Sequence, residues 1–327
     1  MPKKTNYYIY QTLGKKYYKD FKKLGFIDPK TVTSEIDMYN KVIDAGKKST
    51  GKFMRDLASI MVEFKWRTDE SPIIFVENTH LANMIYNAKF DIDTKSIASP
   101  RPNFICFSFP VGTEIEGYKI KSCLFGKIKY KDHFDFVSKT LENILGEHMM
   151  DGLAEEISKD PGEEIFFLMS DNGYGISTIF VPADKACEFL NKDLDDFLGN
   201  NKDLSMDEQD GQVTDDRISE QKAYLRLCLG ICVYIKAFPE NLIKGIPENS
   251  ETIGINSARY NRTIMLDHEF RSSPVAHWRK WHFRTLRHEK FKRNQDGSEK
   301  IIFVRDAIVG KDQDMSIMTK NKGQVLT

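Results

Sequence analysis

Ile165-Phe166-Phe167-Leu168-Met169, then Asp171-Asn172-Gly173, then Ile176-Ser177-Thr178-Ile179-Phe180-Val181: two short apolar runs flank an Asn-Gly pair. A tight hairpin turn needs positive φ at its central residues, which Asn-Gly supplies at little cost, so the stretch predicts an antiparallel β-hairpin. Gly173-Tyr174-Gly175 falls in that turn and needs no phosphate to explain it. Upstream, Phe104 to Phe109 is aromatic and short enough for a strand, and Tyr118 to Tyr130 reads as a half-exposed strand pair around Gly126. Pro72 to Val76 predicts a short buried strand, followed by a helix over about residues 78–89. Met54, Leu57, Ile60, Met61 and Phe64 recur at helical spacing and end near Trp66-Arg67. Before them, Thr33 or Ser34 can cap a helix with Ile36, Tyr39, Val42 and Ile43 on one face, interrupted by Gly46 and Gly51. Lys15 to Lys23 is a further helix or an arm.

Downstream, helices are expected over Phe134 to Leu145 and over about 184–197. Gly199 to Gly211 is polar and acidic, a linker by composition. A helix over about 215–237 carries Leu225, Leu229, Cys232, Val233 and Ile235 as core residues and stops before Pro239. Ile301 to Val309 predicts a last strand, and Lys311 to Thr327 a frayed end. Helices and strands mix without regular βαβ alternation, so the fold class is α+β. Its parts are N-terminal helices, a central mixed or antiparallel sheet with the hairpin, a buried helix, and a C-terminal basic-aromatic segment ending in a strand. The corresponding division is a basic helical segment over 1–68, a sheet domain over 69–198, an acidic linker over 199–214, and a C-terminal part over 215–327 that can pack with the sheet domain.

The chain has 327 residues, 40% hydrophobic and 29% charged, within the range of globular proteins. No run of 18 apolar residues occurs, so no spanning helix and no membrane partner are expected. Met1-Pro2-Lys3-Lys4 lacks an apolar continuation and speaks against secretion. Cys106, Cys123, Cys187, Cys228 and Cys232 are odd in number and sit in apolar stretches, as reduced thiols of a cytoplasmic protein do. The net charge of zero conceals segregation: residues 1–55 hold 13 Lys/Arg against 5 acids, residues 147–216 hold 4 against 19, and residues 259–293 hold 10 against 3. The basic segments therefore face a polyanion or the acidic middle of the same chain.

Neither a Walker loop nor a dinucleotide Gly-x-Gly-x-x-Gly after a strand is present, nor a Gly-x-Ser-x-Gly elbow. No cofactor, metal or small-molecule substrate is expected. Cys228 and Cys232 lie four apart, but no second Cys/His pair completes a zinc set, so core thiols are the simpler reading. The densest chemistry runs from Arg271 through His277, Trp278, Arg279, Lys280, Trp281 and His282 to Arg284 and Arg287. Its cations can pair with phosphates and its indoles can stack on unpaired bases, although Trp is as readily a core residue with Arg over its face. Arg271 and His277, like Arg262 and His268, stand with five residues between them, an arrangement able to hold a phosphate and move a proton in metal-independent RNA cleavage.

Leu225 to Pro247 gives an apolar Leu/Cys helix, an acidic turn and Lys244-Gly245-Ile246-Pro247; His277-Trp278-Arg279-Lys280-Trp281 then precedes the strand from Ile301 to Val309. This order is similar to that of type V-A anti-CRISPR proteins of the second described group, with weaker echoes in Trp66-Arg67-Thr68 and in Pro102 to Phe109 followed by Tyr118 to Phe125. The resemblance spans about residues 55–310; the lysine-rich start, the acidic 147–216 region and the long basic run over 284–293 depart from it. It implies a non-enzymatic protein of a phage or mobile element, acting in the host cytoplasm. Its implied partner is the N-terminal segment of a type V-A CRISPR nuclease, including while ribosome-bound, with loss of the nuclease mRNA as the outcome. RNA is a further expected contact. Partner or RNA contacts are expected from His277, Trp278, Arg279, Trp281, His282, Arg284 and Arg287, with Trp66 and Arg67 beside them. The alternatives are direct RNA cleavage through Arg271 and His277, and a mobile-element protein with no anti-defence role.

Overall fold

In the central strands, successive side chains enter two different cores. Along Phe104–Ser108, Ile105 and Phe107 belong to one cluster while Phe104 and Cys106 belong to another. Ile74 and Val76 alternate in the same way with Ile73 and Phe75, and Phe166 and Leu168 with Ile165, Phe167 and Met169. A sheet covered on both faces needs apolar residues at every position, hence the unbroken runs in the sequence.

The computed structural model describes residues 4–131 apart from 9, 11, 47–51, 70, most of 93–103 and 130, then 164–171, 176–191, 205–206, 215–252, 261–265, 278–279, most of 282–304, and 307–308. The helices are α1 (Leu13–Lys23), α2 (Glu35–Gly46), α3 (Lys52–Thr68), α4 (Thr79–Asn87), α5 (Ala186–Asn191) and α6 (Asp215–Ala237). The first strands are β1 (Thr5–Tyr7), β2 (Ile73–Val76), β3 (Lys89–Asp91), β4 (Phe104–Ser108), β5 (Glu114–Ile115), β6 (Tyr118–Lys119) and β7 (Cys123–Lys129). There follow β8 (Glu164–Asp171), β9 (Ile176–Pro182), β10 (Ser205–Met206), β11 (Leu242–Lys244), β12 (Ser250–Thr252) and β13 (Asn261–Ile264). The last are β14 (Trp278–Arg279), β15 (His282–Thr285), β16 (Ile301–Val304) and β17 (Ala307–Ile308).

Eight strands form one mixed sheet in the order β10-β9-β8-β7-β4-β2-β13-β11. β13, β2 and β4 run parallel, and the rest pair antiparallel. A parallel pair needs a crossover, and α4 lies in the segment joining β2 to β4. The predicted hairpin is present as β8 and β9, paired from Ile165↔Pro182 to Asp171↔Ile176. Its Asn172-Gly173 turn lies outside the described residues, as does the helix expected over 134–145. The architecture is α+β, with α6 and α4 on one face of the sheet and α3 on the other.

Several expectations are corrected. β7 is almost wholly buried instead of half-exposed, because α6 packs on the face of Cys123 and Phe125, which Lys127 and Lys129 share. Ser205–Met206, inside the expected linker, is an edge strand on β9. As the sequence allows, the C-terminal part packs with residues 69–198: its β11 and β13 extend their sheet. In α2, Met38 takes the core position expected for Ile36, which is 45% exposed.

α6 is apolar on all sides and buried from Gln221 to Tyr234. Gln221 Nε2 donates to Ser170 Oγ at 2.7 Å while its Oε1 is buried without a hydrogen-bond partner, and Tyr234 Oη donates to the Met265 carbonyl at 2.6 Å. Arg226, 4% exposed, donates to the carbonyls of Tyr86 (3.1 Å), Ala88 (3.1 Å) and Leu190 (3.5 Å), where α4 and α5 end.

The N-terminal helices form a separate core tied together by Glu63 of α3, which is 0% exposed. Its carboxylate accepts from the backbone N–H groups of Leu13 (2.8 Å) and Gly14 (3.0 Å) at the start of α1, from Tyr10 Oη (3.2 Å) and from Tyr39 Oη (3.4 Å). An anion there also meets the positive end of the α1 dipole. A Cβ on Gly14 would lie 2.2 Å from Tyr39 Cε1, so only glycine allows α1 to approach. Gly14→Ala therefore costs about 1–3 kcal/mol by overpacking, read as a lower urea midpoint.

Burial pushes the Glu63 carboxyl up to about 7, against the opposing donors of Gly14, Leu13, Tyr10 and Tyr39. The folded chain thus holds this proton more tightly than the unfolded chain. The Glu63 contribution is complete below about pH 4.5 and is lost as pH rises through about 7, an effect on the order of 3 kcal/mol. Urea midpoints at pH 5 and pH 8 should differ more in the wild-type chain than in Glu63→Gln; an equal difference in both would show that Glu63 does not titrate in this range.

Candidate functional site

β14 pairs antiparallel with β17, through Trp278↔Ile308 and Arg279↔Ala307. β15 pairs with β16 from His282↔Val304 to Thr285↔Ile301. The two ladders share one register, since every pair of partners moves inward by equal steps, and the Leu286 N–H donates to the Lys300 carbonyl at 2.9 Å one step further on. The basic-aromatic segment and the last strand are therefore the two arms of one β-hairpin spanning residues 278–308. β3 joins it in parallel, through His282↔Lys89, Phe283↔Phe90 and Arg284↔Asp91.

The alternation of a strand decides what each residue does here. Phe283 and Thr285 point inward and are buried. Phe283 stacks on Phe90 with ring centres 5.3 Å apart, and meets Phe303 at 5.0 Å and Tyr234 of α6 at 6.4 Å. Phe238, just past α6, closes this cluster against Phe303 at 5.9 Å. The opposite face carries half-buried His282 and exposed Arg284, flanked by Lys89, Asp91, Ile302 and Val304. Beyond the strand, Arg287 is exposed and lies 3.5 Å from Asp91. One acid among these cations leaves the outer face basic.

The expected site residues thus separate. Trp278, Arg279, His282, Arg284 and Arg287 lie along one hairpin, whereas Arg271, His277 and Trp281 fall outside the described residues. Trp66 is a core residue, 2% exposed, edge-on to Tyr10 at 6.0 Å. Burial leaves it no face to offer a base; Arg67 lies over it, 4.3 Å from the ring centre and 3.4 Å from Glu35. Trp66 belongs to the core on one face of the main sheet and Phe283 to the core on the other, so the pair is not brought beside the hairpin. That correction has a plain cause: an amphipathic helix ending in Trp-Arg places the indole inward and lays the guanidinium over it.

Cys228 and Cys232 sit inside the α6 core, where burial pushes both thiols up, Cys232 to about 12. Cys123 and Cys228 approach to 3.5 Å between sulfurs, well beyond the roughly 2.05 Å of a disulfide. The basic run over 284–293 also brings His288, Lys290 and Phe291 together at the hairpin tip, a grouping that the run itself does not announce. No protein-family model matches the chain, and no curated protein or solved structure matches it. Among the described residues, no helix is long and apolar enough to cross a membrane.

The outer residues are separable from the fold. Replacing Arg284 and Arg287 together by Glu should change stability by no more than about 0.5 kcal/mol, because both are exposed and the ion pair of Arg287 with Asp91 is screened. Arg226→Met, which leaves three interior carbonyls without their donor, should cost about 3 kcal/mol or more. Thermal melts of the two variants give the comparison.

Proposed function

We propose that this protein is an anti-CRISPR suppressor of a type V-A CRISPR nuclease. It recognises the N-terminal segment of the nuclease, as that segment is made, and lowers the amount of the enzyme through loss of its mRNA. The reading starts from the ordered resemblance of residues 225–247 and 277–309 to that family. The observation that carries it is the register of the C-terminal hairpin: the Trp278-Arg279 pair and the last strand, two separate signals in the sequence, form one structural unit. That unit presents Arg284 and Arg287 on an exposed basic face while Phe283 and Phe303 fix it to the core. Such a surface suits an acidic peptide, ribosomal RNA or message.

In bacteria carrying a type V-A system, expression of the protein should lower both the nuclease and its message and restore infection or plasmid entry. Recoding the N-terminal codons for a different peptide should abolish the effect. An unchanged message with interference still blocked would overturn the production step and leave direct binding of the finished nuclease; unimpaired interference would overturn the anti-defence reading.

A further inference from the structure

The tip of the C-terminal hairpin is organised by its own side chains. The His288 carbonyl accepts the Phe291 N–H at 3.0 Å, and His288 Nδ1 accepts the Lys290 N–H at 3.2 Å, so the imidazole itself closes the turn. The His288 and Phe291 rings meet edge to face, 6.4 Å between centres, and Lys290 Nζ lies 5.1 Å from the centre of the Phe291 ring. Further down, Arg293 is bridged to Glu299 at 2.9 Å, and Asn294 Nδ2 donates to the Glu299 carbonyl at 3.2 Å, which ties the two sides of the loop together. His288, Lys290 and Phe291 are all exposed, as is Arg287.

Phe291 is 36% exposed and belongs to none of the core clusters, at the end of a braced arm. Its open part suits a planar ligand, and Lys290 beside the ring, with Arg284 and Arg287 on the same arm, selects an anionic one. We propose that this tip is a docking site for single-stranded nucleic acid, with an unpaired base stacked on Phe291 and phosphates held by Lys290, Arg287 and Arg284. Arg284 and Arg287 lie beside Asp91 on β15 and just past it, and Lys290 follows at the tip, so cations are spaced along the arm. A duplex does not fit this recognition, because its bases are stacked on one another and offer no free face. An acidic peptide could meet the cations, but it has nothing to place on Phe291. The inference deepens the function proposed above at its RNA contact and rests on that reading only for expecting message as the natural ligand.

The test uses the full chain with fluorescently labelled single-stranded RNA, the same sequence as single-stranded DNA, the RNA duplex, and polyglutamate, followed by anisotropy at several salt concentrations. Single-stranded RNA or DNA should bind in preference to duplex and polyglutamate, and the ratio of the two single strands identifies the source. Phe291→Ala should weaken binding about ten-fold, as loss of one base stack does, and Phe291→Trp should retain it. Lys290→Ala and Arg287→Ala should each flatten the logarithmic salt slope by about 0.7. Near-ultraviolet circular dichroism confirms that each variant is folded. Equal binding to polyglutamate or duplex, or wild-type affinity in folded Phe291→Ala, would overturn the assignment and return the tip to a general anionic or protein contact. The two proposals fail separately: loss of the nuclease message with no nucleic-acid binding by the purified chain defeats this one alone, and binding with the message intact defeats the production reading alone.

Discussion

A guanidinium placed inside the protein governs how its layers meet. Burying a cation costs several kcal/mol unless hydrogen bonds replace its water. Arg226 recovers that cost at one place, the junction where α4 and α5 end and their last carbonyls lack helical partners. The planar fork reaches carbonyls from two helices at once, which a lysine ammonium on its flexible stem does less well. Since Arg226 stands on α6, the contact fixes the height of α6 relative to α4, and with it everything laid on that side of the sheet. Gly230, one turn further along, shows how close the approach is: a Cβ there would come within 2.7 Å of Ile85 Cγ2.

The C-terminal hairpin depends on that placement. Tyr234 and Phe238, at and just past the end of α6, supply the aromatic seat on which Phe283 and Phe303 rest, and Phe90 continues it from the strand after α4. β3 is attached to α4 through Ala88 alone, so a shift of α4 against α6 would move the seat and the hairpin together. The arm is an extension of the core geometry, and its tip is held in space by the same contacts that set the distance between helix and sheet.

Much of this was legible in the sequence, for identifiable reasons. The β8–β9 hairpin was readable because Asn172-Gly173 separates two apolar runs, and α6 because Pro239 ends a stretch apolar on every face. What escaped was pairing at a distance. An apolar run does not say whether one or two layers cover it, so β7 reads as half-exposed from its alternating lysines although α6 packs on the face they share with Cys123 and Phe125. Ile36 and Met38 both fit an amphipathic stripe, and only the approach of α1 and α3 decides between them. Glu63 sits in a helix rich in apolar residues and carries no local sign that it anchors the start of α1, some fifty residues earlier. In the candidate site, Arg284 and Arg287 were readable as exposed cations, whereas Phe291 gained its meaning only from the turn that His288 closes.

The same alternation that builds the hairpin also divides its labour. Residues 283, 285, 301 and 303 face the core and answer to packing, while 282, 284, 302 and 304 lie on the other side and answer to solvent. A substitution on the inner set alters the position of the whole arm, and one on the outer set alters only what the arm can touch. Charge can therefore accumulate on the outer face and at the tip without being neutralised for the sake of folding, since neither Arg284 nor Lys290 contributes to a core. Where a basic cluster serves only solubility, its cations have no reason to surround an exposed ring on a turn that an imidazole holds closed. At the tip Lys290 stands by the Phe291 ring, and the Lys290 N–H is held by the His288 imidazole, a conjunction that the lysines of α1 do not show.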